Sequence, residues 1–176
     1  MGLIELIAAM MVITIALLAL MASYDQAFFS LHNAARKTAA ASLAESQIEL
    51  YSALPYASVG LSSSLVTTAK ASDAYYSTDE AALTPSGTTE VANAACNTTD
   101  PQCKPVQASV TGSDGKSYRI ETFVRDISQS LTCQGVTGSC GTTTERDVTV
   151  IVRDPNVSGS PVVYTVTAAF DSGPRG

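Results

Sequence analysis

The stretch Met1–Ala22, MGLIELIAAMMVITIALLALMA, decides the fold. Leu6 to Ala22 are sixteen apolar residues and one threonine, Thr14. With Leu3 and Ile4 the run approaches the ~20 residues a helix needs to cross a bilayer. No basic region precedes it, and the helical pattern runs straight through Ala22-Ser23, so it reads as a span rather than a cleaved signal. Glu5 is the exception within it and the only charge before Asp25. A carboxylate in apolar surroundings costs several kcal/mol unless it finds a partner. No Lys or Arg occurs in the first 35 residues, which leaves the chain's own α-amino group or that of a neighbouring chain. Met1 lies about one helical turn from Glu5. At ~4 Å and an effective dielectric near 20, such a pair gains roughly 4 kcal/mol, enough to select a register between neighbours. A plain single-pass anchor would leave Glu5 without a purpose.

Helical spacing continues beyond the run. Phe28, Leu31 and Ala35 share one face, Ala44, Ile48 and Tyr51 another, with Leu43, Leu50 and Leu54 added to the later face. Gly and Pro are absent between Leu3 and Leu54, and Pro55 stops the helix. About 54 residues of helix would extend ~80 Å. That exceeds a bilayer, so residues 25–54 are expected to pack on a domain while residues 1–24 form a membrane or filament-core segment. Asp25, Arg36, Lys37, Glu45 and Glu49 fall where solvent or a neighbouring subunit could be met.

Met1-Gly2-Leu3-Ile4-Glu5-Leu6-Ile7, with the apolar run and long helix that follow, resembles the start of a mature type IV pilin. In that family a prepilin peptidase removes a short basic leader ending in Gly, the new first residue is N-methylated, and an acidic residue stands fifth. The family's leucine, isoleucine and glutamate at positions three to five fall on Leu3, Ile4 and Glu5. The resemblance implies that Met1 is the processed, methylated N-terminus and Glu5 the carboxylate used in assembly. Two departures are visible. Met1 stands where the family usually has Phe, and Ala22 stands near the end of the apolar run, where many pilins have a proline.

The rest of the 176-residue chain is Ser/Thr/Gly-rich, with 15% charged residues and a net charge of −6. Ten Lys and Arg in an acidic chain, without a basic cluster, argue against general nucleic-acid binding. Cys96, Cys103, Cys133 and Cys140 form two pairs with six residues between the members of each. With no Cys-x-x-Cys and one distant histidine, His32, they read as disulfides rather than a zinc site. Three connectivities are open. The two local loops, Cys96–Cys103 and Cys133–Cys140, are favoured because each encloses turn formers, including Asp100, Pro101, Gly135 and Gly138.

Residues 55–105 form a Ser/Thr-rich connection in which Ala69 to Leu83 could hold a short helix. Asn97-Thr98-Thr99 and Asn156-Val157-Ser158 match the glycosylation sequon. From Val106 the period changes to two. Val106–Thr111, Lys116–Ile127, the Val148-Val150-Val152 segment and Val162–Phe170 predict four antiparallel strands with one face buried, covered by the second half of the helix. The fold expected is α+β, and the order helix, loop, sheet follows that of the pilin head.

Catalytic signatures are absent. Gly115-Lys116-Ser117 ends like a P-loop, but Val110 stands where its first glycine belongs. A Ser-His-Asp site would have to be built on the helix at His32. Asp114 and Asp154 lack a calcium-loop spacing. No cofactor, metal or enzymatic activity is expected. The resemblance implies a structural subunit of an extracellular filament on a prokaryotic cell, membrane-inserted before assembly. Its partners would be copies of itself, the prepilin peptidase and the pilus assembly machinery. A minor pilin or type II secretion pseudopilin is the alternative within the family, with Leu50–Tyr56 reminiscent of helix ends in minor pilins. A membrane-anchored adhesin using Tyr56–Cys103 as its contact surface is the alternative from another class.

Overall fold

In the computed structural model, residues 2–84, 89–93, 96–132 and 139–172 are described. Met1, Cys133 and the side chain of Cys140 lie outside the described residues, and with them the expectations of a processed terminus and of a Cys133–Cys140 bridge. One helix, α1, runs unbroken over Leu3–Ser52, passing Ala22 without interruption. It ends three residues before Pro55, whose ring would clash with a further turn. The chain divides into two compact units, Met1–Thr38 and Ala39–Gly176.

From Leu3 onward the first unit is helix. None of residues 2–38 is buried. Along α1 the first buried residue is Ala39.

In the second unit α1 contributes Ala39, Ala40, Ala44 and Tyr51, all fully buried, with Leu43 and Ile48 partly so, and Leu54, just past its end, is partly buried against the same core. Residues 40, 44, 47 and 51 recur at helical spacing on one face. The alanines let the helix approach closely, and Leu50, off that face, stays 40% exposed. The sheet comprises β1 (Thr89–Glu90), β2 (Val106–Thr111), β3 (Ser117–Thr132), β4 (Ser139–Arg153) and β5 (Val162–Asp171). Its order is β1-β3-β4-β5, with β2 also pairing β3, and every pairing is antiparallel. The turn between β2 and β3 needs Gly115, which sits at φ 75°. Tyr118, Ile120, Val124, Val148, Val150, Val152 and Phe170 pack with α1 in one core.

The Ser/Thr-rich connection differs from the expectation of a loop with one short helix. It holds two ten-residue helices, α2 (Ser63–Ser72) and α3 (Ala74–Leu83). They bring Ala69 and Tyr76 against Phe123 and Ile151, which point to the opposite sheet face from Ile120 and Val124. Tyr76 stacks on Phe123 with ring centroids 4.6 Å apart. The sheet thus carries a core on each face, not on one.

Candidate assembly surface

The first unit exposes an almost unbroken apolar row. Leu3, Ile4, Leu6, Ile7, Met10 and Met11 begin it, and Tyr24, Phe28, Phe29 and Leu31 end it. Leu3 is 79% exposed and Phe29 74%. Monomeric soluble proteins rarely display so much contiguous apolar surface. Two hydroxyls within the row are satisfied by the helix itself. Thr14 Oγ1 donates to the Met10 carbonyl at 2.7 Å, and Ser23 Oγ to the Ala19 carbonyl at 3.0 Å. Back-bonding of this kind, with the helical backbone bonds, leaves few polar groups needing water, as an apolar medium demands. By length and composition α1 can cross a membrane. Glu5 lies among these side chains, beside Leu3, Leu6 and Ala9. Its backbone N–H donates to the Gly2 carbonyl at 3.0 Å, so the carboxylate is at the very start of the helix. A negative charge is favoured there by the helix dipole.

The other sequence-singled residues are dispersed. Cys96 and Cys103 form a disulfide with Cα atoms 5.6 Å apart. That loop clamps α1: Gln47 Nε2 donates to the Pro101 carbonyl at 3.2 Å, and the Tyr51 hydroxyl donates to the Gln102 carbonyl. Burial pushes the Tyr51 hydroxyl pKa up, so it remains a donor. Asn97 is exposed in the same loop. Asn156 is exposed too, but its amide donates to the Ser117 carbonyl and to Asp154 Oδ1, both at 3.1 Å. Asp114 accepts from the Tyr118 hydroxyl at 2.8 Å. His32 is exposed on α1. Among the described residues no group of three or more His, Cys, Asp or Glu side chains gathers to hold a metal ion.

A charged cluster on the head escaped the sequence reading. Arg119 and Arg153 stand directly opposite each other on β3 and β4, where like charges repel. Glu121, fully buried, accepts from Arg119 Nε at 2.7 Å and from Arg153 Nε at 3.1 Å. Asp73 and Asp79, at the start of and within α3, take the outer guanidinium nitrogens of Arg119 and Arg153. The Tyr75 ring lies 5.7 Å and 5.2 Å from the two guanidinium carbons. Burial pushes the Glu121 carboxyl up, against the pull of both arginines. At Asp73 burial acts in the same direction, but the Arg119 hydrogen bond and the Tyr76 and Tyr75 N–H groups outweigh it and hold the carboxyl below its usual range. Every charge in the cluster is answered within the chain, so it fastens α3 to the sheet rather than presenting a reactive group.

No protein-family model, curated protein or solved structure matches the chain.

Proposed function

We propose that the chain is the structural subunit of an extracellular filament of the type IV pilus class. The exposed half of α1 would lie in the membrane before assembly and in the filament core afterwards, with Glu5 paired to the N-terminal amine of a neighbouring copy. The observation that carries this reading is the exposed apolar row with the carboxylate of Glu5 at its start, the only charge before Asp25.

The length of the row favours packing between copies over a simple anchor. From Leu3 to Leu31 the helix rises ~42 Å, against a hydrocarbon thickness of ~30 Å. An ordinary tilt of ~20° shortens the span by only a few Å. The hydrocarbon core would therefore leave the Phe28–Leu31 end in the headgroup region, whereas neighbouring helices can cover the whole row. Moving the helix from lipid to a bundle exchanges one apolar setting for another, so extraction costs little net burial.

The test is Glu5→Ala in the full-length chain. The head should keep its fold, because Glu5 lies in the other compact unit, while filament yield should fall at least about tenfold, corresponding to roughly 1.4 kcal/mol per contact. Normal filaments from that variant would overturn the charge-pairing step.

A further inference from the structure

We infer that Asp25 and Lys37 form an ion pair between neighbouring copies in the filament, joining parallel helices offset by twelve residues. This rests on the filament reading above and adds a specific contact to it.

Both residues are exposed on the first compact unit. Neither is in an ion pair among the described residues. Asp25 sits inside the exposed apolar row, between Tyr24 and Phe28. It lines one shallow groove with Phe28, Phe29 and His32. Once neighbouring helices cover that row, the Asp25 carboxylate leaves water and needs a cation. Lys37 is exposed, twelve residues further along the same helix, at a rise of ~18 Å. It cannot reach Asp25 of its own chain at that separation. The Lys37 of a copy displaced by the same rise can.

The helical geometry also fixes the type of contact. Twelve residues at ~100° each place Lys37 about 120° around the helix from Asp25. The two charges therefore belong to different faces, so each copy offers its carboxylate to one neighbour and its ammonium to another. Such a heterologous contact propagates into an open filament, whereas a self-complementary patch would close a dimer. Glu49 repeats the twelve-residue interval in sequence with the opposite sign to Lys37. The Glu5–amine contact implies an offset of about four residues, so it involves a different neighbour in the lattice.

The test compares full-length Asp25→Lys, Lys37→Asp and the double exchange with the wild type in a detergent-dilution polymerisation assay. Each single variant places like charges opposite each other and should raise the critical concentration at least about tenfold. The double exchange restores opposite charges and should return it to within about threefold of wild type. Circular dichroism and the head's thermal transition should stay unchanged in all three, because neither side chain is buried. Singles that assemble like wild type, or a double exchange no better than the singles, overturn the pairing while leaving the filament reading intact. A wild type that forms no filaments, either on detergent dilution or with assembly machinery present, overturns both.

Discussion

At the residue scale the two carboxylates Asp73 and Glu121 show how environment sets the sign of a pH effect. Asp73 caps α3, accepting the Tyr75 and Tyr76 N–H groups at 3.1 and 3.2 Å, and also holds Arg119. Its carboxyl lies below the ordinary range, so its contribution to stability is present above ~pH 3.9 and is lost as pH falls through the depressed value. Glu121 is raised by burial, so its contribution runs the other way and weakens as pH rises through its value. Asp73→Asn separates the cap from the ion pair, since asparagine also caps helices well. The expected loss is about 1–2 kcal/mol at pH 7 in urea denaturation. The difference from wild type should shrink as pH falls through that depressed value, where the native carboxyl is itself protonated. A pH-independent difference would assign the loss to the cap. None of this cluster could be read from sequence. Arg119, Glu121 and Arg153 look like the polar positions of alternating strands, and their partners lie on α3, in a segment whose Ser/Thr content suggested a loop. Glu5, by contrast, stands out in the sequence because an apolar run isolates it.

At the element scale the legible parts were those with a strong period. The long helix and β2 were placed closely because helical spacing without Gly or Pro persists up to Pro55 and a two-residue alternation runs through Val106–Thr111. The reading of α2 and α3 fell short because Ser and Thr are weak helix formers that serve equally well in turns. In the folded chain Thr67, Thr68 and Ser72 turn their hydroxyls back to the carbonyls of Ser63, Ser64 and Thr68, so the composition is accommodated within the helix. The Cys96–Cys103 loop is the element that ties this connection to α1, through the Pro101 and Gln102 carbonyls. A loop of this length gives about 2.5 kcal/mol in the chain-entropy account. Replacing both cysteines by serine should lower head stability by roughly that amount. It should also raise hydrogen exchange at Ser62, whose N–H donates to the Cys103 carbonyl at 2.9 Å. Unchanged exchange at Ser62 would show that the loop holds its place without the bridge.

At the scale of the whole molecule the two compact units meet different physical demands. Ala39–Gly176 has a core on each face of its sheet and a helix segment clamped by hydrogen bonds, so its stability is internal. Met1–Thr38 has no buried residue among those described and depends on an external apolar setting. Removing it should therefore cost the head almost nothing while abolishing assembly. A chain begun at Ala35 keeps one turn ahead of Ala39, so the first buried residues retain their helical hydrogen bonds and the new terminal charge stays clear of the core. This variant should be soluble without detergent and monomeric by light scattering. Its unfolding should be cooperative, with a midpoint within about 3 °C of the full-length head transition, the shift that a loss below ~1 kcal/mol gives at this size. A requirement for detergent would mean that residues 2–34 complete the head's core. A soluble variant that still forms filaments would move the assembly surface off α1 and onto the sheet, and would remove the physical basis for assigning Glu5, Asp25 and Lys37 to contacts between copies.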